Sequence, residues 1–448
     1  MLTTEQACER AADIVARARK AGADAADAVF AADRALSVSV RMGSLEDVER
    51  AESEELGLRV FAGRRSASVS TSDLSDSALD ALVERALAMA KEAPEDQWAG
   101  LAPQDRLLHG QPPLLDLDDG ANDSPETLRA RALAAEDAAR AVPGVTNSEG
   151  GSASLSRAVM AIATSHGFAA GYAQTSHGLS ASVLAGSGGG MERDYAHHSA
   201  RHAALLEAPE AIGRLAGERA VARLNPQKIS SGATPVVFDR RVSSSIIGHL
   251  LGAIAGASVT RKTSFLLDAL GTQVFARNVT ICDDPHRPRG LRSRPFDGEG
   301  LPVQAMKIVD SGMLETWLLD SASARQLGLE PTGHASRGIG GAPGVAPGNL
   351  YMQAGSIPPE TLIGEIDYGV LVTELIGQGV NGITGDYSRG AAGFLIEKGE
   401  ITRPVSEITI AGNLKDMFRA LTPANDLEFR YGINAPTLRI DGMTIAGD

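Results

Sequence analysis

Apolar residues recur along this chain with two periods. From Thr4 to Ala21 they fall at helical spacing, with Ala12, Ile14, Val15 and Ala18 among them, and predict an opening helix. From Ala28 to Ala51 the period drops to two, in AVFAAD, ALSVSVRMG and SLEDVERA, and the alternation continues through GLRVFAGRRSASVST with Gly63 as a turn. Asp73-Leu74-Ser75-Asp76 caps a second helix that runs to about Ala93. Ser124-Pro125-Glu126 opens a third, which ends before Pro143-Gly144. Between them, Pro94 to Asp123 is rich in Pro, Asp and Gly and reads as an excursion or lid. Asn147 to Ser199 alternates again, turning at Gly186 to Gly190, and Ala208 to Leu224 is helical. Asn225-Pro226-Gln227-Lys228 reads as a hinge, which divides the chain into an N-terminal α+β domain, 1–225, and a C-terminal domain, 226–448.

The second half opens with a strand, Pro235 to Phe238, and an apolar helical stretch, Val242 to Ala257, that stops at Arg261-Lys262-Thr263-Ser264. Strands follow at Val279 to Cys282, Val303 to Val309 and Leu314 to Leu319, the last two joined by the turn Asp310-Ser311-Gly312. Ser321 to Leu327 is helical, and Gly333 to Gly348 is a glycine-rich loop carrying His334. Leu371 to Ile376 is a strand, followed by a loop with Gly377, Gly379, Gly382 and Gly385. Ala391 to Glu397 and Glu400 to Ile410 pair across Lys398-Gly399, and Asn413 caps a helix from Leu414. Strands at Leu427 to Arg430 and Thr437 to Ile440 end the pattern. Strands and helices do not alternate regularly, so the expected class is α+β: two domains with mostly antiparallel sheets flanked by helices, the second a mainly antiparallel β domain with a twisted or barrel-like sheet.

Composition narrows the function classes. The chain has 448 residues and a formal net charge of -14, which argues against a general nucleic-acid surface. Its first residues alternate charge and alanine without an apolar h-region, and no stretch reaches the ~18 apolar residues of a membrane helix. Two cysteines, Cys8 and Cys282, do not make a disulfide framework, so a cytoplasmic protein is expected.

Candidate chemistry is sparse. His197, His198 and His202 cluster in HHSARH, and His198 and His202 would share a face if that piece were helical, but the same residues also read as strand. None of the nine histidines is followed by Glu, which excludes the HExxH arrangement, and Gly-x-Ser-x-Gly is absent. Gly248, Gly252 and Gly256 lie four apart on one helical face, as a packing device or as the floor of a cleft. Asp386, Tyr387, Ser388 and Arg389 sit between Gly385, Gly390 and Gly393. They read either as the polar edge of a hairpin or as side chains facing a ligand or partner.

The segments GHLLGAIAGASVTRKTSFLLDALG, TGHASRG, VTELIGQGVNGITGDYSRGAAGFLIEKGEI and PVSEITIAGNLKDMF resemble the TldD/PmbA (TldE) family, in particular its PmbA/TldE branch. The resemblance covers most of the second half closely, and the first half only in the order of its elements. It implies a pair of related chains: a TldD-type chain that holds zinc through an HExxxH helix and a C-terminal cysteine, and a PmbA/TldE-type partner. Together they degrade unfolded peptides and trim modified precursors. The zinc helix falls on Gly248-His249-Leu250-Leu251-Gly252-Ala253-Ile254, where Leu250 stands for the Glu and Ile254 for the second His, and Ile433-Asn434-Ala435-Pro436 has no cysteine. Leu and Ile neither bind zinc nor activate water. The resemblance therefore implies a non-catalytic subunit without metal or cofactor of its own. Zinc is expected in the TldD-type partner, and a homodimer is the alternative assembly when the chain is alone. His334, Asp386, Tyr387 and Arg389 are the candidates to contact peptide or partner. Two other readings stay open: a self-sufficient hydrolase in which His334 acts with Asp386 or Tyr387, and a binding module that regulates a DNA enzyme, a role also attributed to the family.

Overall fold

In the computed structural model, which describes residues 2–447, the alternating segments of the first half pair into one antiparallel sheet. Its strands are β1 (Ala25–Arg41), β2 (Ser44–Ala62), β3 (Arg65–Thr71), β4 (Val145–Thr164), β5 (Ala169–Ala185) and β6 (Glu192–Ala200), in the order β3-β2-β1-β4-β5-β6. Four helices, α1 (Thr4–Lys20), α2 (Asp76–Glu92), α3 (Pro125–Arg140) and α4 (Pro209–Ala222), cover one face in two pairs. Period two explains this. Ala28, Phe30, Val159 and Ala161 pack with α1 and α2, while Val38, Val40, Ala153 and Leu155, of the same parity in β1 and β4, pack with α3 and α4. Val29 and Ile162 have the opposite parity and meet Phe296 and Leu301 of the second half on the other face.

The second half closes on itself. Strands β7 (Gly232–Phe238), β8 (Tyr368–Ile376), β9 (Asp386–Glu397), β10 (Glu400–Asn413) and β11 (Leu438–Ala446) pair in the ring β10-β9-β8-β7-β11, and β11 returns to β10 through Thr409↔Ala446. The expected barrel-like sheet is thus a closed five-stranded barrel, in which β7 and β8 alone run parallel. Helix α5 (Arg240–Ile254) follows β7 directly, because the Asp239 carboxylate caps it by accepting from the Arg241 N–H. Ile246, Ile247, Leu250 and Ile254 of α5 are fully buried in one core with Val236, Val370, Leu395 and Ile410 of the barrel. A smaller sheet runs Met313–Leu314, Met306–Asp310, Ile281–Asp284, Asn349–Met352, Ile433–Asn434.

Several elements depart from the sequence pattern. Leu427 to Arg430 is not a strand: the Arg430 guanidinium is drawn to Glu207 of the first half and to the His197 carbonyl at 3.0 Å. Of Leu314 to Leu319 only the first residue is in a strand, and Val303 to Val309 contracts to Met306–Asp310. The helix expected over Val242 to Ala257 breaks at Ala255, where Leu318 donates to the Ile254 carbonyl and accepts from Gly256 N–H. Asp386 to Arg389, read as a polar run among glycines, are the first residues of β9.

The two halves are docked by buried charge and by a strap. Asp27 lies 4% exposed between Arg59 of its own sheet, at 3.0 Å, and Arg337 of the second half, at 3.1 Å. Phe168 meets Phe296 edge-on, with ring centroids 5.1 Å apart. The excursion from Pro94 to Asp123 is the strap. Arg325 donates to the carbonyls of Trp98, Gly100 and Leu101, and Leu101, Leu107, Leu115 and Leu117 are buried.

This junction also holds acids that burial disfavours as anions. Burial lifts the Asp297 carboxyl to about 6. The Glu299 carboxyl is lifted to about 7, first by burial and then by Asp297. Each carboxyl is weaker folded than unfolded, so its contribution is fully present below about pH 4 and is lost as pH rises through about 7. Glu299→Gln should therefore flatten the fall in stability between about pH 5 and pH 8, and stabilise the protein at the higher pH by on the order of 1 kcal/mol in urea titrations. An unchanged pH profile would contradict this. In the barrel, a Cβ on Gly393 would lie 1.9 Å from the Leu371 carbonyl oxygen of β8. Gly393→Val should cost roughly 1–3 kcal/mol, and an unaltered melting temperature would show that the strands can part there freely.

Candidate binding site

The start of α5 faces the edge strand β6, and the space between them is a cleft of about 380 Å³. Asp194, Arg223, Arg241, Ser245, Thr373 and Arg389 are on its walls. Asp194, only 2% exposed, takes a bidentate pair from Arg241: Nη1 to Oδ1 at 2.9 Å and Nη2 to Oδ2 at 3.1 Å. Arg241 Nε also donates to the Thr373 carbonyl at 2.5 Å, and Arg223 reaches Glu374 at 2.5 Å. Burial would raise the Asp194 carboxyl. The hydrogen bonds and charge of Arg241, the Tyr195 N–H and the charge of Arg223 outweigh burial and hold it below the usual carboxylate range.

Deeper in the wall, polar groups lack partners. Tyr387 is 2% exposed, and its ring lies edge-on to His249 at 5.6 Å between centroids. The Tyr387 hydroxyl faces the Arg389 guanidinium, while His249 Nε2, Ser245 Oγ, Thr373 Oγ1 and Arg389 Nε are buried without a hydrogen-bond partner. Burial pushes the Tyr387 phenol up to about 12, partly opposed by the Arg389 guanidinium beside it. Burial, then the charge of Arg389, lowers the His249 imidazole, so it is neutral near pH 7.

The strand register decides which sequence candidates meet. In β9 the buried positions alternate, so Tyr387 and Arg389 turn inward to His249 while Asp386 is exposed. Asp386 instead accepts from Thr384 Oγ1 at 2.6 Å and Asn413 Nδ2 at 3.1 Å, closing the glycine loop. His334 is 2% exposed and is held elsewhere, Nε2 on Asp283 at 3.2 Å and Nδ1 on Thr332 Oγ1 at 2.8 Å. The hydrolase pairing of His334 with Asp386 or Tyr387 is thus replaced by a pairing with Asp283. Gly248 and Gly252 face open space, and only Gly256 is packed, against Ser323 and Leu318. His197 and His198 are in β6 rather than on a helix. His198 Nδ1 accepts from Glu207 N–H at 3.1 Å, and His202 Nε2 lies 3.0 Å from the Asp116 carbonyl.

Sequence reading missed Asp194, Arg223, Arg241, Ser245 and Thr373. Two signals were present. Arg240-Arg241 put cations in the first turn of α5, against the helix dipole, which calls for a counter-charge from elsewhere. Asp194 is a carboxylate at a buried parity of β6.

A zinc site does not fit α5. His249 is its only histidine, Leu250 and Ile254 are spent in the barrel core, and Arg389 puts a fixed positive charge beside the imidazole. No group of three or more His, Cys, Asp or Glu residues among those described could hold a metal ion. A larger hollow of about 610 Å³ lies between the β1–β2 hairpin and residues 120–125, but its charges are matched, Arg157 by Asp118 and Arg34 by Glu52. Among the described residues, no helix is long and apolar enough to cross a membrane.

Comparison with known proteins supplies the lineage. Family models described as PmbA/TldA metallopeptidase match as domain 1 over residues 26–90, as central domain over 118–224 and as C-terminal domain over 231–447. The Metalloprotease PmbA of Escherichia coli O157:H7 is 44% identical over 95% of this chain and 92% of its own. The crystal structure of a candidate modulator of DNA gyrase from Bacteroides thetaiotaomicron superposes with a TM-score of 0.91 at 28% identity, covering 100% of both chains. TldE from Thermococcus kodakarensis shares the fold, with a TM-score of 0.86 at 21% identity over 97% of this chain and 99% of that one.

Asp194→Asn leaves Arg241 buried beside a neutral amide and should cost about 3 kcal/mol near pH 7. In the unmodified protein the pair's contribution is present above about pH 4 and lost as pH falls through the depressed value of Asp194. Urea titration checks both, and equal stability of the two proteins near pH 7 would refute the assignment.

Proposed function

This chain belongs to the PmbA/TldD metallopeptidase family, and on that premise we propose that it is the PmbA/TldE-type subunit of a two-chain cytoplasmic peptidase, one that shapes the peptide chamber without holding the metal. The carrying observation is α5. Where a TldD-type chain is expected to bring a glutamate and a second histidine, this helix brings Leu250 and Ile254, both fully buried. The TldD-type partner would hold the zinc, which would supply an activated water and a Lewis acid for the scissile carbonyl. This chain contributes surface. β3 covers only Leu56–Ala62 of β2, which leaves the edge from Ser44 to Glu55 free to add an extended strand. The substrates proposed are unfolded peptides and modified precursors, whose backbones are not already paired. Cys8 and Cys282 are free thiols, in keeping with a reducing compartment.

A regulatory role toward a DNA enzyme, suggested by the description of the Bacteroides protein, would act through the enzyme rather than through DNA, since a chain of net charge -14 meets duplex DNA unfavourably.

The purified chain should cleave no unfolded peptide by itself, and mixing with the TldD-type homologue from the same cell should give an assembly whose cleavage is abolished by a chelator. Cleavage by this chain alone, freed of partner by denaturation and refolding, would end the proposal.

A further inference from the structure

We propose that the cleft between β6 and α5 is a carboxylate-binding site, in which Arg389 supplies the cation, Ser245 and Thr373 line the pocket around the anion, and Tyr387 and His249 back Arg389 from behind the wall. The first support is the state of Arg389. It is 9% exposed, yet its Nε has no acceptor, and no carboxylate pairs with it among the described residues. The neighbouring arginines are spent, Arg241 on Asp194 and Arg223 on Glu374. An arginine is always charged, so burial without a counter-ion is unfavourable unless a ligand brings one.

The second support is independent of charge. Two further polar atoms of the cleft wall, Ser245 Oγ and Thr373 Oγ1, are buried without partners, and His249 Nε2 behind them, beside Tyr387, is a third. Native interiors leave few such atoms, and their convergence on one cleft is what an absent polar ligand leaves behind. The hydroxyls of Ser245 and Thr373 can each donate. The forked guanidinium matches the two oxygens of a carboxylate. The one unmatched cation at this cleft favours a single negative charge over a phosphate dianion. Ser244 and Ser245 open the cleft toward the glycine face of α5, where Gly248 and Gly252 have no neighbour to obstruct an incoming chain.

The source of the carboxylate rests on the reading of this chain as a peptide-handling subunit: it is a peptide's C-terminus or an acidic side chain. Neither the existence of the site nor its test depends on metal or on assembly. Calorimetric titration of the isolated full-length chain would use three probes: N-acetyl-tetra-alanine as the free acid, the same peptide as its C-terminal amide, and that amide with glutamate in place of the last alanine. The free acid should bind at least ~10-fold more tightly than the alanine amide, and Arg389→Gln should abolish that preference. Arg389→Lys should keep part of it, as a point charge without the fork. Should Arg389→Gln fail to fold, Ser245→Ala remains informative, and it should weaken the free acid several-fold while leaving the amide unchanged. Binding of the glutamate amide as tightly as the free acid would identify a side chain as the source, and its failure would identify the C-terminus. The proposal is overturned if neither acid binds, if acid and amide bind equally, or if folded Arg389→Gln retains the preference. Loss of chelator-sensitive cleavage in the reconstituted pair would bear on the subunit reading alone, since these probes need no partner.

Discussion

One buried ion pair sets the geometry on which the candidate site depends. Arg241 stands in the first turn of α5 and grips Asp194 of β6 with two hydrogen bonds, so the helix that follows the barrel's first strand is moored to the edge of the other domain's sheet. Removing Asp194 would leave Arg241 buried without its carboxylate, and removing Arg241 would leave Asp194 with Arg223 at 3.6 Å alone, which makes the contact costly to lose. The Asp27–Arg59–Arg337 cluster repeats the device at another point of the junction. Such mooring keeps the surfaces presented by the two halves in a fixed relation.

With α5 fixed, its two sides serve different ends. One side, Ile246, Leu250 and Ile254, fills the barrel core. The other presents Ser245 and the open glycines, with His249 against Tyr387. Apolar burial at Leu250 and Ile254 contributes to stability at about 1.5–3 kcal/mol per fully buried side chain, and the same choice removes the atoms that would coordinate zinc. The helix thus serves packing on one side and a polar wall on the other.

Much of the architecture was legible in the sequence because it follows from period. The alternation in β1 to β6 and the helical spacing of Ile14, Val15 and Ala18 express one buried face each, which is local information. The second domain was expected as a twisted or barrel-like sheet, and its closure depends on Thr409 meeting Ala446, a pairing that no window reveals. The site was the least legible part. Asp386 to Arg389 read either as the polar edge of a hairpin or as side chains facing a ligand; they are strand, and the glycines serve close approach, with Gly393 under the Leu371 carbonyl. Once they are strand, Asp386 and Tyr387 must point to opposite faces, and the four polar residues cannot share one ligand. Arg241 and Asp194 each left a local signal, but their pairing was not legible, because they lie far apart in the chain and only tertiary docking brings them together.

The claim at the centre of this account is that α5 carries no zinc site. The direct measurement is zinc titration of the isolated chain, denatured, stripped of metal and refolded, beside a His249→Ala variant. Loosely held zinc on His197, His198 and His202 would be common to both proteins and removed by gel filtration. The account predicts no stoichiometric zinc after filtration and identical titrations for the two proteins. One zinc retained per chain and lost on His249→Ala would contradict it.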